Sequence, residues 1–354
     1  MVYATPSDRL LSLSLYSGLA VFLLTLLLLL SIVLLRQAGN RRERRQQGLF
    51  ERWQPVFIHA AEDLPVVLPK PGRRERQSVL FLWIHFTEAL RGTAHPRLRQ
   101  LALDLGLERT ALELLQRREV RLQLMAVVAL GRMQSRAAWE WLTSHLDDPN
   151  PILSLLAARS LLQIDFRHAG PPVLAAVARR NDWPFAKISA MLREIPTNYL
   201  AVFVVDALRQ AAPPSLPRLI GLLDGTHWGD VANVIQPYLE TDQPTDVIAA
   251  ALRVCRHPHT LDAVRRLATH EHWVVRARAA ETLGKIGVEQ DRFRLQAMLG
   301  DPEWWVRYRA GMALARMPFV PRQKLEAMID QLKDHFAADI LRQVLAETAP
   351  ENPS

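Results

Sequence analysis

The feature that most constrains the fold of this 354-residue chain is an internal repeat of about 31 residues. Segment 273–286 aligns with segment 304–317, and apolar or small residues recur in both at the first, fifth, ninth and twelfth positions of a frame that begins at 275 and 306. Further copies of this frame begin at residues 122, 153, 184 and 244, so a degenerate copy is expected between the last two. These positions form one stripe along a helix.

Each stripe helix can bury its stripe only by stacking against its neighbours, which predicts an all-α solenoid of helix pairs. The composition agrees, because aromatic residues make up only 7% of the chain and no evenly spaced β-like runs occur. Asp148 and Asp301, each followed by a proline, are predicted to cap stripe helices. The second helices of the pairs are predicted at Ala138–Leu146, Pro171–Arg179, Leu261–Thr269 and Arg292–Leu299.

The segment Val275–Gly287, followed by Leu299–Asp301 and Val306–Arg307, resembles the short HEAT-like repeat of phycobilin lyases and bacterial scaffold proteins. The resemblance is strong over 271–318, clear over 119–165 and faint over 183–256. It implies HEAT-like helix pairs whose stripe helices line a concave face.

In HEAT repeats an aspartate before the stripe helix and an arginine after its first valine bond along the array. Asp301, Arg276 and Arg307 match this pattern. The positions equivalent to the arginine hold other residues in the remaining copies, so the resemblance implies an incomplete polar ladder. Those residues are Gln123, Ser154, Phe185 and Thr245.

A membrane anchor is predicted at residues 10–35, which form 26 residues without a charge between Arg9 and Arg36. As a helix this span measures about 39 Å, enough to cross a hydrocarbon layer of about 30 Å. A cleaved signal peptide fits less well, because the run is too long and arginines follow it where a small-residue cleavage site is expected. Since those arginines mark the cytoplasmic side, we expect an N-out, single-pass protein of a bacterial inner membrane with its C-terminal domain in the cytoplasm.

The net charge of +8 is concentrated in residues 36–77, which carry +5 of it. We predict a basic juxtamembrane linker here, because glycines and prolines interrupt any helical period. Anionic lipid is a candidate partner of four arginines. These are Arg41, Arg42, Arg44 and Arg45. The remaining +3 is too small for a uniformly basic nucleic-acid binder, so nucleic acid is an unlikely partner.

The predicted domain organisation follows from these segments. It comprises a short tail (1–9), the transmembrane helix (10–35), the basic linker (36–77), N-terminal capping helices (78–118), the solenoid (119–349) and a disordered tail (350–354). The capping helices are predicted at Val79–Leu90 and Pro96–Gln116.

A protein partner is predicted to bind the concave face, towards which the stripe-helix positions three, six and ten residues after the start of each frame should point. The last two copies present basic residues there, and the first two present apolar ones. The candidate binding residues are Arg278, Lys285, Arg309 and Arg316, together with Met125 and Leu156. A solvated charged face is the alternative interpretation.

No catalytic, cofactor-binding or metal-binding residues are predicted. The sequence lacks the common nucleotide-binding, hydrolase and metalloprotease motifs. The HEAT-type diiron hydroxylase of deoxyhypusine needs several His-Glu pairs within its helices, whereas the single pair here, His270-Glu271, precedes one. The histidine groups 257–259 and 270–272 are expected to be solvated loops.

Tryptophans on the concave face would suggest a HEAT-like DNA glycosylase. Here each precedes a helix, where tryptophan usually staples the chain to the core. The five are Trp183, Trp228, Trp273, Trp304 and Trp305.

The resulting functional hypothesis is a membrane-anchored, non-catalytic HEAT-repeat scaffold that organises a protein partner. Two alternatives remain. One is a membrane-tethered nucleic-acid-binding protein, and the other is an accessory subunit of an envelope glycosyltransferase or signalling complex.

Overall fold

The computed structural model describes residues 47–65, 68–73, 75–90, 94–224, 231–332 and 334–348, together with Ser31 and Arg36. Apart from Ser31, the predicted transmembrane span 10–35 lies outside the described residues, as do the arginines at 41–45 and the tail 350–354. Among the described residues, none of the helices combines the length and apolar character that a membrane crossing requires. The regular secondary structure of these residues is helical throughout. The chain divides into two compact units, Met1–Arg117 and Arg118–Ser354.

The described part of the first unit contains four helices. They are α1 (residues 47–62), α2 (Arg76–Ala89), α3 (Ala94–Asp104) and α4 (Leu107–Leu115). Helix α1 corrects the prediction of an irregular linker over 36–77. Trp53 and Phe57 in this helix are 1% and 0% exposed, and the Phe57 ring centroid lies 5.1 Å from that of Phe86 on α2. Burial of these aromatic faces outweighs the poor helix propensity of Gly48 and Pro55.

The predicted second capping helix, Pro96–Gln116, is also wrong as a single helix. It is broken between α3 and α4 at Gly106, whose φ of +66° lies in the left-handed region that favours glycine. Trp83 on α2 is fully buried and donates a hydrogen bond from Nε1 to the carbonyl oxygen of Leu98 on α3 at 2.8 Å. Buried side chains therefore hold the described helices of this unit together.

The second unit is a two-layer stack of helices. The stripe layer comprises α5 (Val120–Met133), the first half of α7 (Pro151–Arg179), α8 (Phe185–Leu192), α10 (Leu216–Gly221), α12 (Thr245–Val254), α14 (Trp273–Ile286), α16 (Trp304–Arg316) and α18 (His335–Glu347). The second layer comprises α6 (Trp139–Ser144), the second half of α7, α9 (Thr197–Gln210), α11 (Val231–Ile235), α13 (Leu261–Leu267), α15 (Asp291–Met298) and α17 (Arg322–Gln331). Stripe helices contact one another along the stack, for example α14 with both α12 and α16.

The predicted stripes form the core of this unit. The fifth position of the frame is 0% exposed in all six copies, at Ala126, Ala157, Ile188, Ile248, Ala279 and Ala310. The ninth position is at most 1% exposed, at Leu130, Leu161, Leu192, Leu252, Leu283 and Leu314. Helix α10 supplies the degenerate copy expected in the middle, because Gly221 approaches both Phe185 on α8 and Arg253 on α12. Pro184 and Pro244 depart from the stripe, since they precede their helices and are exposed.

Small residues allow the stripe helices to approach closely. A Cβ atom on Gly284 of α14 would lie 2.7 Å from the Cβ of Ala313 on α16, and one on Gly131 of α5 would lie 2.5 Å from Oγ of Ser160 on α7. Both distances are shorter than real Cβ contacts. Glycine at these positions therefore sets the spacing of the layer.

Helix α7 contains both helices of its repeat, joined by a kink at Asp165. The backbone there is non-helical, with φ −156° and ψ 90°. The Asp165 carboxylate accepts hydrogen bonds from the backbone N–H groups of Arg167 and His168, so it caps the second half. The predicted pair 153–164 and 171–179 is thus present without an intervening loop.

The predicted aspartate caps are displaced by two residues. Asn150 and Glu303 are the N-caps of α7 and α16, and the Asn150 side chain accepts from the N–H of Ile152 at 3.0 Å. Asp148 and Asp301 instead accept the N–H of these cap residues at 2.8 and 2.9 Å. The aspartates shape the turn before the helix, because a short carboxylate readily bonds the N–H two residues later.

Candidate functional site

One stripe helix near the C-terminal end, α14, is held in position by a buried arginine–aspartate pair. Arg276 on α14 donates from Nε and a terminal nitrogen to both carboxylate oxygens of Asp301, at 2.7 and 2.9 Å. The two side chains are only 14% and 10% exposed. The hydrogen bond that Arg276 donates to Asp301 raises the pKa of the arginine, which therefore stays charged. This rung of the predicted ladder is confirmed.

The same arginine position also holds the loop before its own helix. Arg276 donates to the carbonyl oxygens of His270 and Glu271, and Arg307 donates to those of Asp301 and Pro302. Arg307 therefore holds the loop that precedes α16, and its side chain donates no hydrogen bond to a carboxylate among the described residues.

In the earlier copies, which lack the arginine, other residues form the hydrogen bonds between repeats. Ser154, which stands at the arginine position, accepts a hydrogen bond at Oγ from Nε1 of the buried Trp183 at 3.0 Å. Arg180 reaches back to the carbonyl oxygen of Asp148 at 2.6 Å, and Arg218 reaches the carbonyl oxygens of Arg180 and Trp183. These contacts were missed because the arginines lie at the ends or starts of second-layer and stripe helices rather than at the expected position.

The spacing of charged residues contains a signal for part of this second ladder. Two exposed ion pairs link residues 32 positions apart: Arg179 with Asp147 at 3.1 Å and Arg256 with Asp224 at 2.7 Å. An acidic residue and an arginine separated by about one repeat length indicate that equivalent loops of adjacent repeats contact each other.

The four predicted basic residues lie on α14 and α16, and a carboxylate that sequence reasoning missed lies among them. Glu281 is 2.9 Å from both Arg278 and Lys285 and 3.8 Å from Arg309 on the next helix. Burial would raise the pKa of Glu281, but hydrogen bonds and charge from Lys285 and Arg278 outweigh it, and the pKa is lowered. Glu281 is therefore ionised and orients three cations, whereas the exposed Arg316 forms no ion pair within the described residues. We call these four basic residues with Glu281 the basic surface.

An exposed aromatic cluster adjoins the basic surface on α16. The ring of Trp304 stacks on that of Tyr308, with 5.1 Å between centroids and 7° between planes, and Trp305 packs edge-on to both. The Tyr308 hydroxyl donates to Glu347 on α18 at 2.7 Å, which raises the pKa of the phenol. We call Trp304, Trp305 and Tyr308 the aromatic cluster.

The predicted stapling role is confirmed for Trp183, which is 1% exposed, and is wrong for three other tryptophans. Trp273, Trp304 and Trp305 are 37%, 39% and 50% exposed. They occupy the first helical positions rather than the position before the N-cap, so their side chains point away from the core. Trp228 lies outside the described residues.

The two predicted apolar contact residues, Met125 on α5 and Leu156 on α7, are half-buried. Leu156 lines a groove of about 490 Å³ between α7 and α8, and Met125 does not. The expectation that the equivalent positions always point outwards is wrong in one copy, since Val247 and Val254 on α12 are 0% and 3% exposed.

The histidine groups satisfy backbone donors in loops. Nδ1 of His257 accepts from the N–H of His259, Nδ1 of His270 accepts from that of His272, and Nδ1 of His272 accepts from that of Val274. Within the described ranges, no group of three or more histidine, cysteine or acidic residues has a geometry suited to a metal ion.

The single cysteine, Cys255, is buried, and its Sγ lies 2.6 Å from Oγ1 of Thr260. Burial raises the pKa of the thiol, which disfavours the nucleophilic thiolate.

Comparison with known proteins agrees with this architecture in one region. The HEAT-repeat family matches residues 232–315, which cover helices α12 to α15 and most of α11 and α16. Residues 232–315 are therefore similar to HEAT repeats, and the described part of the second unit is a helical repeat stack.

Solved structures with detectable similarity include an engineered protein and human deoxyhypusine hydroxylase in complex with glycerol. The engineered protein is 14% identical, with 85% of this chain and 97% of that chain covered and a TM-score of 0.33. The hydroxylase is 17% identical, with 85% and 96% covered and a TM-score of 0.28. A comparison with curated proteins gave no match.

Proposed function

We propose that this protein is a non-catalytic scaffold whose stripe layer binds an acidic segment of a protein partner on the basic surface. HEAT repeats support a scaffolding or protein-interaction role in general. The observation that carries the specific proposal is the convergence of Arg278, Lys285, Arg309 and Arg316 on the exposed face of two adjacent helices.

The geometry of the basic surface supports recognition of carboxylates. Glu281 holds three cations in place without neutralising all of them, and Arg316 adds a further charge. A partner carboxylate gains charge-assisted hydrogen bonds from donors that are already oriented, so little side-chain entropy is lost on binding. The mixed charge of this surface disfavours the continuous cationic track that a nucleic-acid backbone requires.

The aromatic cluster supplies the apolar part of the proposed interface. Tryptophan, tyrosine and arginine are the residues that most often dominate binding energy at protein interfaces. Here Tyr308 is held by Glu347 and in turn supports the Trp304 ring, so the exposed indole is presented in a fixed orientation.

The cellular setting of the proposal rests on the sequence. A transmembrane helix at 10–35 would place the scaffold on the cytoplasmic side of a bacterial inner membrane, and Arg41, Arg42, Arg44 and Arg45 would contact anionic lipid. Added protease should leave residues 118–354 intact in sealed spheroplasts and degrade them after lysis. Digestion before lysis would contradict this topology.

Charge reversal tests the binding site. The full-length variant Arg309→Glu/Arg316→Glu should recover at least about tenfold less cross-linked partner from membranes than the wild type, since each lost charged contact costs about 1.5–3 kcal/mol. The matched control Arg209→Glu/Arg342→Glu makes the same change in net charge at two exposed ion pairs on α9 and α18. Equal recovery by both variants would contradict the proposal. Recovery of nucleic acid with a steep logarithmic dependence on salt would favour the alternative function.

A further inference from the structure

The groove between α7 and α8 is a largely apolar concave surface of the second unit that the core does not fill. Its volume is about 490 Å³, within the range typical of ligand sites. Ile152, Leu155, Leu156 and Met191 are the large apolar side chains that line it. Ile152 is 60% exposed, which is unusual for a large aliphatic side chain and leaves apolar surface without a partner.

The charges at the rim of the groove indicate what its occupant must carry. Arg159 donates to Glu194 at 2.8 Å through Nε, and Arg180 donates to Asp182 at 3.0 Å through Nε, so both of these rim charges are compensated. Lys187 also lines the groove, and its exposed ammonium forms no ion pair with any described residue. The rim therefore presents one uncompensated positive charge beside an apolar floor.

The shape of the groove favours a helical occupant. It runs between two adjacent stripe helices, and an amphipathic helix can lay apolar side chains three or four residues apart into such a groove. Met191 lies on the α8 side, and an unbranched thioether adapts to side chains of different shape.

We propose that this groove binds an amphipathic helix of a partner protein, with apolar side chains against Leu156 and Met191 and a carboxylate that pairs with Lys187. This site is separate from the basic surface on α14 and α16 and does not depend on it. The two sites differ in what they recognise, because the groove requires an apolar face and only one acidic group.

A displayed library of helix-forming peptides tests the proposal on the full-length protein in lipid nanodiscs. Enriched peptides should contain a pair of apolar residues at helical spacing and an Asp or Glu beside it. Fluorescence anisotropy with one enriched peptide then measures affinity. Ala190→Trp, which fills the groove from an exposed rim position, and Leu156→Asp should each weaken binding at least about tenfold.

The charge assignment has its own test. Lys187→Glu should lower the affinity for the acidic peptide at least about fivefold. A peptide in which Lys replaces the acidic residue should bind the Lys187→Glu variant with restored affinity. The pair Arg309→Glu/Arg316→Glu should leave this peptide's affinity unchanged, which separates the groove from the basic surface. Enriched peptides that bind Ala190→Trp and Lys187→Glu like the wild type would overturn the proposal. A concentration-dependent dimer in sedimentation velocity that Ala190→Trp abolishes would overturn it as well, by assigning the groove to a second copy.

Discussion

Removing the Asp301 carboxylate should destabilise the C-terminal repeats far more than removing an exposed acid does. Asp301→Ala deletes both carboxylate acceptors of the guanidinium of Arg276, on a helix that belongs to the preceding repeat. It also deletes the acceptor of the N–H of Glu303, the N-cap of α16. One substitution therefore loosens two adjacent stripe helices.

The structure sets the expected magnitude. Breaking a buried ion pair by removing one partner costs about 3–5 kcal/mol, because a buried charge is left uncompensated. Arg276 is 14% exposed and keeps the carbonyl oxygens of His270 and Glu271 as acceptors, so we expect the lower end, about 3 kcal/mol. Asp301→Asn retains an acceptor for Glu303 and should cost about 1–2 kcal/mol.

Urea denaturation of the full chain, with hydrogen exchange resolved along the sequence, measures this effect. Faster exchange should concentrate in α14 and α16, because solenoid repeats depend mainly on their neighbours. The matched control is Asp339→Ala, whose pair with Arg342 is 66% and 59% exposed and should contribute less than about 1 kcal/mol. An Asp301→Ala variant no less stable than this control would refute the reasoning.

Three further predictions concern the packing and titration of the stack. Gly284→Ala should lower the free energy of unfolding by about 1–3 kcal/mol, because the new methyl group forces α14 away from α16. Gly300→Ala, where an added Cβ would have no neighbour closer than 3.6 Å, should lower it by less than half as much. Equal urea midpoints for the two variants would contradict this prediction. Trp183→Phe and Ser154→Ala should each cost about 1–2 kcal/mol, and their double variant little more than either alone; full additivity would show that the hydrogen bond is unimportant. Burial would raise the pKa of Asp291, but the hydrogen bonds that its carboxylate accepts from an arginine and from a backbone N–H outweigh this effect and lower the pKa. The stabilisation by Asp291 is therefore present above about pH 4 and is lost as pH falls through the folded-state pKa. Asp291→Asn should reduce the loss of unfolding free energy at acid pH, and an unchanged pH profile of stability would contradict the assignment.

The stripes and one rung of the polar ladder could be predicted from the sequence. Positions such as Ala279 and Leu283 follow a helical period, and burial of one helix face is a local property that the period reports. The pair of Arg276 and Asp301 could be anticipated because both residues match a recurrent repeat pattern.

The charge of the basic surface could not be predicted from one helix at a time. A helical period shows which side chains are exposed, but the 3.8 Å approach of Arg309 to Glu281 depends on how two helices pack. The exposure of Trp304 was missed for a more local reason. The repeat frame begins at Val306, which places Trp304 before the helix, whereas α16 already begins at Trp304 and this residue lies in the exposed first turn.

Helix α1 could not be predicted from local helix propensity. Gly48 and Pro55 lower helix propensity, yet Trp53 and Phe57 are buried against the rest of the first unit. Long-range packing of large aromatic side chains contributes more free energy than one or two unfavourable helix residues remove.

The most direct test of the scaffold proposal is site-specific photo-cross-linking in cells. A photoreactive residue replaces Met312, which lies between Arg309 and Arg316 at helical spacing on α16, or Phe293, which is 60% exposed on α15 in the second layer. The proposal predicts a discrete protein adduct at Met312, with an acidic cross-linked peptide, and none at Phe293. Equal adducts at both positions, or cross-linking of Met312 to nucleic acid alone, would contradict it.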